Sequence, residues 1–448
     1  MPLLIILILY SLYISLNSFF YFDIINDVNT EVVKLHVIYI LISVTYLIVK
    51  RRKNILCPEL IISITFYIAT YLLSFSDILE FQSYYVFKAP VMLQSIALAT
   101  LGWTVFIIGA LLSAENKKQK YVRFNYKNVH KNRNLFLWTT FSSLILMIAI
   151  DGSFLFGKYS DEKVVGQRTG LISYMLILLI ITSFYEFQRL KMLDVKTFKN
   201  FYKKIYKPYI IIFFFISGLL IYTGDRSSAM QILLPFLMLY YLFINKIKSS
   251  SLAFITIVGL ILFVFVRENR GSTENSSINY FKFSELIMDF VPANAAIPTI
   301  INYTDTHGLT MGSNIVYNLL AIVPFLQSYI ISGVEIKSSS ASSLITSQEI
   351  LGSDFHSGQG THVVADLYYT FGFVGVIIGM CLAGFIYSRY FNKILKNRNI
   401  GRYQLIFFLV LFGNIIFFVR VEYFFILQNL SFAVIFTYLG NVFVRIKN

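Results

Sequence analysis

Long apolar runs recur along the whole chain, and they constrain its fold more than any other feature. Each run is roughly 20 residues long, which lets a helix cross a bilayer core of about 30 Å. Only 14% of the 448 residues are charged, against about a quarter in soluble domains. We therefore predict an all-α polytopic membrane protein with about twelve transmembrane helices. The predicted spans are 2–22, 33–49, 56–76, 90–113, 135–155, 170–186, 208–223, 229–245, 251–266, 373–391, 403–419 and 424–444.

Basic residues gather in the segments between alternate runs. If the N-terminus lies in the cytoplasm, the segments on the cytoplasmic side hold 27 of the 38 lysines and arginines. Cytoplasmic loops of membrane proteins carry this excess, so we predict that both termini are cytoplasmic. The same distribution accounts for the net charge of +15 without a nucleic-acid partner.

A long, mostly polar connection divides the runs unevenly. We predict an extracytoplasmic loop at 267–371, between a nine-helix region at 1–266 and a three-helix region at 372–448. The loop contains two proline-interrupted apolar stretches, 283–302 and 315–332. If either stretch or both crossed the membrane, the charges of the neighbouring loops would no longer follow the cytoplasmic excess of basic residues. We therefore predict that both are short interfacial or re-entrant helices. Outer loops of this length are usually functional.

Several motifs with known chemistry are missing from the chain. It has no Walker A sequence, no G-x-G-x-x-G turn after a strand, no H-E-x-x-H and no D-x-D pair. Its two cysteines, Cys57 and Cys381, have no metal-ligand spacing. These absences argue against an ATP-driven transporter and against a metal-dependent nucleotide-sugar transferase. We predict no cofactor and no metal.

Five arginines lie at or near the predicted outer ends of spans, against the charge bias of the topology. A guanidinium group pairs bidentately with phosphate oxygens and keeps its charge, so this placement favours a phosphate or pyrophosphate site. The alternative is snorkelling, or an ion pair with a neighbour such as Asp225 or Glu422. The five residues are Arg168, Arg226, Arg267, Arg270 and Arg420.

Arg226 is the first choice among the arginines because its motif, GDRSSAM at 224–230, separates two apolar runs. We expect Ser227 and Ser228 to cap the following helix and Asp225 to orient Arg226. The N-terminal dipole of that helix would then face the bound anion.

The end of the long loop, at 343–375, carries residues that suit a general base. His356 is preferred because the usual pKa of histidine lies near neutrality, and His362, Asp366 and Glu349 are further candidates. The alternative is that these side chains are solvated or fasten the loop through hydrogen bonds.

Two motifs within this architecture, TGDRSSAMQILLP and GTHVVADLYYTFGFVGVIIGMCLAGF, resemble those of bacterial O-antigen and capsule repeat-unit polymerases of the Wzy type. The resemblance implies a GT-C-like, metal-independent membrane glycosyltransferase in the bacterial inner membrane, active at its outer face. Its substrate would be oligosaccharide repeat units linked to undecaprenyl pyrophosphate. A flippase and a chain-length regulator would be its partners.

The implied chemistry assigns roles to the residues above. An acceptor hydroxyl attacks the anomeric carbon while the lipid pyrophosphate leaves, and guanidinium groups would stabilise the developing charge. Arg226 is expected to act here first, followed by Arg267, Arg270 and Arg420, with His356 as the first choice of base.

Two other functions stay open. An O-antigen ligase shares the fold and the donor but transfers glycan to a different acceptor. A lipid-linked oligosaccharide flippase or other transporter belongs to a different class. A transporter would have two related halves and short outer loops, which the division into nine and three spans disfavours.

Overall fold

The computed structural model describes residues 1–22, 25, 27–50, 56–71, 87, 89–113, 129–150, 165–223, 225, 226–245, 291–315, 342–351, 360–396 and 401–446. Within these ranges the side chains of 150, 165–170, 226, 291–292, 351, 395–396 and 445–446 are not described. The regular structure of the described residues is helical and contains no strand.

Fourteen α-helices make up the described part of the chain. They are α1 (Pro2–Phe20), α2 (Val28–Val49), α3 (Pro58–Tyr71), α4 (Ala89–Leu112), α5 (Val129–Ile150), α6 (Val165–Met192), α7 (Phe198–Lys204), α8 (Lys207–Tyr222), α9 (Arg226–Phe243), α10 (Val291–His307), α11 (Ser342–Leu351), α12 (Val363–Lys396), α13 (Arg402–Gly413) and α14 (Tyr423–Ile446).

Six of the described helices are long and apolar enough to cross a membrane: α1, α2, α4, α6, α12 and α14. The bent pair α7 and α8, which meet at 101°, would make a seventh span. The all-helical membrane-protein class is therefore confirmed. Every predicted span overlaps a described helix except 251–266, which lies outside the described residues. The count of twelve stays a prediction.

Local sequence signals set several helix starts. Asp27 caps α2 by accepting a hydrogen bond from the Thr30 backbone N–H at 3.1 Å. Asp225 caps α9, and its Oδ1 accepts from Ser228 N at 3.1 Å and from Ser227 Oγ at 2.7 Å. The expectation that the two serines cap α9 was wrong, because the longer carboxylate reaches the free N–H groups and the serines donate to it.

The chain divides into two compact units. The first contains Met1–Lys118, Phe281–Lys396 and Ile415–Gln428, and the second contains Gln119–Tyr280, Asn397–Asn414 and Asn429–Asn448. The first unit therefore holds α1–α4, α10–α12 and the start of α14. These units are defined by contacts within the protein. The predicted boundaries at 267 and 372 separate membrane regions from a loop, and they stay a prediction.

Aromatic side chains with paired polar atoms fill the core of the first unit. Tyr39, Phe66 and Trp103 of α2, α3 and α4 meet with ring centroids 5.3–6.0 Å apart. The Tyr39 hydroxyl donates to the Ser63 carbonyl at 2.6 Å, and Trp103 Nε1 donates to Ser43 Oγ at 2.9 Å. These rings bury a large apolar area while their polar atoms stay hydrogen-bonded.

Glycines let α4 and α12 of the first unit pack backbone against backbone. A Cβ on Gly109 would lie 2.0 Å from the Cys381 carbonyl oxygen, and a Cβ on Gly384 would lie 2.0 Å from the Phe106 carbonyl oxygen. Small residues permit this close approach between membrane helices. The two helices therefore form a rigid support for the residues at the start of α12.

A break at Phe371 and Gly372 divides α12 into a short arm at 363–370 and a long arm at 373–396. Gly372 has φ 61° and ψ −143°, a conformation that is essentially restricted to glycine. A Cβ on Gly375 would lie 2.4 Å from the Leu367 carbonyl oxygen. Residues eight apart are separated by about 12 Å in a straight helix, so the short arm folds back against the long arm.

The fold-back carries the short arm to the middle of α4. A Cβ on Gly102, near the centre of that helix, would lie 3.0 Å from Val364 and 3.5 Å from Met380. The sequence analysis predicted these residues as the end of an extracytoplasmic loop. The structure shows them as the first part of α12, packed against α4, and their place on the extracytoplasmic side stays a prediction.

A buried ion cluster fastens the second unit. Arg133 of α5 and Arg189 of α6 lie 3.1 and 2.5 Å from the two carboxylate oxygens of Glu186. The same carboxylate accepts a hydrogen bond from the Tyr206 backbone N–H, at the bend before α8, at 2.8 Å. Glu186 is fully buried, so these bonds compensate its desolvation.

Candidate active site

The predicted site residues differ in how much of them the structure describes. His362, Asp366 and Arg420 lie in the first unit with described side chains. Arg168 and Arg226 lie in α6 and α9 of the second unit, but their side chains are not described. Glu349 is exposed on α11. His356, Arg267 and Arg270 lie outside the described residues.

The start of the short arm docks on the turn at 415–422. The backbone N–H groups of Thr361 and Val363 donate to the carbonyls of Arg420 and Val419 at 3.2 and 2.9 Å. Gly360 has φ 100°, which side chains rarely adopt, and a Cβ there would lie only 3.2 Å from the Arg420 carbonyl oxygen, so the two backbone segments approach closely. The structure thus brings Arg420 next to the segment that carries His362 and Asp366.

Asp366 is held from two sides. Its Oδ1 accepts a hydrogen bond from Ser342 Oγ at 2.7 Å, and its Oδ2 accepts one from the Tyr423 backbone N–H at 3.1 Å. Ser342 Oγ also lies 3.1 Å from Thr361 Oγ1. Asp366 is only 3% exposed, so these bonds replace the water that the carboxyl group loses.

Glu422 lies beside this pair because it precedes Tyr423. Its Oε1 accepts hydrogen bonds from Ser343 Oγ at 2.7 Å and from Ser343 N at 3.4 Å. Burial raises the pKa of the Glu422 carboxyl, and the two hydrogen bonds from Ser343 partly oppose that rise. Two consecutive serines at the start of α11 therefore hold two neighbouring carboxyl groups, and the helix dipole there favours negative charge.

A chain of polar side chains continues from the carboxyl pair along the short arm. Thr370 Oγ1 lies 3.2 Å from the Tyr423 hydroxyl and accepts from Asn314 Nδ2 at 2.8 Å. Thr310 Oγ1 donates to Asn314 Oδ1 at 2.9 Å, and Thr310 N donates to the Tyr369 carbonyl at 3.1 Å. These bonds fix the end of the short arm against the segment that follows α10.

His362 has a different environment. It is fully buried, its Nδ1 accepts from the Val364 backbone N–H at 3.2 Å, and its Nε2 lies 3.1 Å from Thr70 Oγ1. Because Nδ1 accepts, the neutral ring carries its proton on Nε2 and donates to Thr70. Burial lowers the pKa of His362 to about 3. This geometry favours a fastening role, and a role as base stays a prediction.

Sequence reasoning named Asp366 but did not assign Glu422, Ser342, Ser343 or Tyr423 to the site. Glu422 had a visible signal, since it stands between two apolar runs as Asp225 does, but it was considered only as an ion-pair partner of Arg420. The serines had no local signal, because they meet residues 24 and 79 positions away. Among the described residues, no three His, Cys, Asp or Glu side chains are grouped as a metal site requires.

A bundle of apolar helices around a buried polar network at a broken helix defines a multi-pass membrane protein with an internal polar site. The family model of the O-antigen polysaccharide polymerase Wzy matches residues 3–446. The chain therefore belongs to the Wzy O-antigen polymerase family, as its motifs indicated, and this membership implies a polymerase of the glycosyltransferase type.

A curated relative is compatible with this assignment. The chain is 25% identical to Protein CapE of Staphylococcus aureus over 379 residues, which cover 79% of this chain and 78% of the relative. No solved structure matches the chain.

Proposed function

We propose that this protein polymerises undecaprenyl-pyrophosphate-linked oligosaccharide repeat units into a surface polysaccharide at the outer face of the bacterial inner membrane. The family match over residues 3–446 is the observation that carries the proposal. The proposal includes twelve transmembrane helices, cytoplasmic termini and a GT-C-like fold without a metal. Its partners are the bilayer, a flippase and a chain-length regulator.

The transfer makes one bond and breaks one bond. The acceptor hydroxyl oxygen attacks the anomeric carbon of the donor glycan, and the bond from that carbon to the phosphate oxygen breaks. Undecaprenyl pyrophosphate leaves with the bonding electrons, and a base takes the hydroxyl proton. Fixed guanidinium groups lower the barrier because the leaving group gains negative charge.

The five outer arginines are proposed to bind this pyrophosphate: Arg168, Arg226, Arg267, Arg270 and Arg420. Support for Arg226 comes from its place as the first residue of α9, because a helix N-terminus favours anions. Support for Arg420 comes from the backbone contacts that bring it beside the polar network. His356, His362 and Asp366 stay predictions for the base.

Arg226 offers the first test in cells. In a strain that lacks its own copy of the protein, Arg226→Ala is expected to reduce the polysaccharide ladder to single repeat units, and Arg226→Lys to restore part of it. Lys196→Ala is the matched control, because Lys196 is an exposed residue whose partner is Asp194. All three variants must reach the membrane at the wild-type level.

Three outcomes separate the functions. A normal ladder with Arg226→Ala would refute the role of Arg226. Loss of outward translocation of lipid-linked units would indicate a flippase. Wild-type protein that transfers finished glycan to another acceptor, without extending it, would indicate a ligase.

A further inference from the structure

We propose that Glu422 takes the proton from the acceptor hydroxyl and that Asp366 positions Glu422 for this step. The inference rests on the proposed function, because the proton belongs to the acceptor sugar of the polymerisation reaction. The base in this proposal is a carboxyl group, and not His356, which the sequence analysis preferred.

The first argument is the position of the pair. Asp366 lies on the short arm, which folds back beside the middle of α4. Asp366 is only 3% exposed, and a buried carboxyl group is costly, so it marks a candidate functional site. Here the structure maintains two carboxyl groups side by side, with Arg420 only two residues before Glu422.

The second argument is the way in which the two carboxyl groups are held. Ser342 donates to Asp366 and Ser343 donates to Glu422, both at 2.7 Å. Each Glu422 contact uses Oε1, and none of the described hydrogen bonds uses Glu422 Oε2. Oε2 is thus the oxygen on which an acceptor hydroxyl can dock, as a general base requires.

The third argument is the difference in exposure between the two groups. Asp366 is 3% exposed, whereas Glu422 is partly exposed. We therefore assign the contact with the acceptor to Glu422 and a supporting role to Asp366. Asp366 instead accepts from the backbone N–H of Tyr423, the residue that follows Glu422, and so anchors the backbone beside the catalytic carboxyl group.

The proton balance of the step is complete. The hydroxyl proton passes to Glu422 Oε2 as the hydroxyl oxygen bonds to the anomeric carbon, and undecaprenyl pyrophosphate leaves as the anion. The raised pKa of Glu422 suits a base, since proton affinity nearer the working pH strengthens proton transfer. Arg420 in the same turn is proposed to face the leaving pyrophosphate. One turn would then carry the residue that contacts the attacking hydroxyl and the residue that contacts the leaving group.

The test uses the full-length protein in proteoliposomes with purified lipid-linked repeat units. Glu422→Gln keeps the shape of the side chain but removes the base, and we expect the polymerisation rate to fall about 100-fold to 1,000-fold. Binding of undecaprenyl pyrophosphate, measured separately, should stay within about twofold of wild type. Asp194→Asn is the control, because Asp194 is 77% exposed in the second unit.

Asp366→Asn separates positioning from structural support. Among the described residues, Asp366 and Tyr423 interact electrostatically with Glu422, and Arg420 lies two residues before it. Activity requires ionised Glu422, so the rate falls as pH drops through its pKa. Asp366→Asn keeps the shape of the side chain but places an amide NH₂ where one carboxylate oxygen accepts a hydrogen bond, so kcat should fall about tenfold while KM stays within about twofold.

Each outcome has a defined meaning. If wild type does not polymerise the substrate, the proposed function fails. If wild type polymerises and Glu422→Gln keeps more than a third of its rate, Glu422 is not the base. Loss of undecaprenyl pyrophosphate binding in Glu422→Gln would also overturn the inference, because a base acts after the donor is bound. An unchanged kcat in Asp366→Asn, or a rise in KM that accounts for the whole loss, would refute the positioning role.

Discussion

The close packing of α4 and α12 makes Gly384 a sensitive position. In Gly384→Ala the new methyl group would lie 2.0 Å from the Phe106 carbonyl oxygen and 2.8 Å from its carbon. A normal contact of this kind is about 3.3 Å, so the helices must separate by roughly 1 Å. Both atoms belong to the backbone, and no side-chain rotation relieves the clash.

The expected cost follows from overpacking. Forcing an extra methyl group into a packed interior costs about 1–3 kcal/mol. We expect a value near the top of this range, because the clash is with backbone atoms that cannot rotate away. A loss of about 3 kcal/mol would lower the Tm of a unit of this size by roughly 6–10 °C. Thermal unfolding of purified protein in detergent measures this shift.

Gly218→Ala is the matched control. Gly218 lies in α8, and a Cβ there would meet no atom within 4 Å. Alanine also has the higher helix propensity, by about 1 kcal/mol, so Gly218→Ala should be neutral or slightly stabilising. Equal Tm values for the two variants would refute the close approach of α4 and α12, and with it the support proposed for the short arm.

Two further predictions concern buried ionisable groups. Glu186→Gln should destabilise the protein by about 3–5 kcal/mol, because it leaves the buried Arg133 and the partly buried Arg189 poorly compensated. An unchanged unfolding midpoint would show that the ion cluster is not buried. His362 has a folded pKa of about 3, below its unfolded value of about 6.5, so the unfolded state binds the extra proton and stability falls as pH drops below that value. Between pH 6.5 and pH 5 the wild type should therefore lose about 2 kcal/mol more than His362→Gln, and parallel pH curves in thermal unfolding would contradict the burial of this ring.

The positions of the helices could be predicted from the sequence because apolar runs are a local signal. The starts of α4, α8 and α13 lie within one residue of the predicted spans. Helix caps were harder, since both Asp225 and its serines can act as caps, and only the geometry shows that Asp225 accepts the bonds. The sequence analysis assigned 363–370 to the end of the long loop, and the fold-back of this segment as a helix was not predicted.

The fold-back of the short arm depends on features that act over a distance. Gly372 allows the break through its positive φ, while Gly375 and Gly379 leave space for Leu367. The sequence contains these glycines, but nothing in it states which helix they face. The same limit applies to the site, where Asp366 was predicted from residue type and the partnership with Glu422 required the turn at 415–422.

The most direct test of the central claim is reconstitution of the purified protein with a single defined substrate. Proteoliposomes that contain only this protein and undecaprenyl-pyrophosphate-linked repeat units should produce a ladder of longer glycans and release undecaprenyl pyrophosphate, one molecule for each bond formed. Single repeat units that stay unextended, with no lipid pyrophosphate released by a folded protein, would contradict the account.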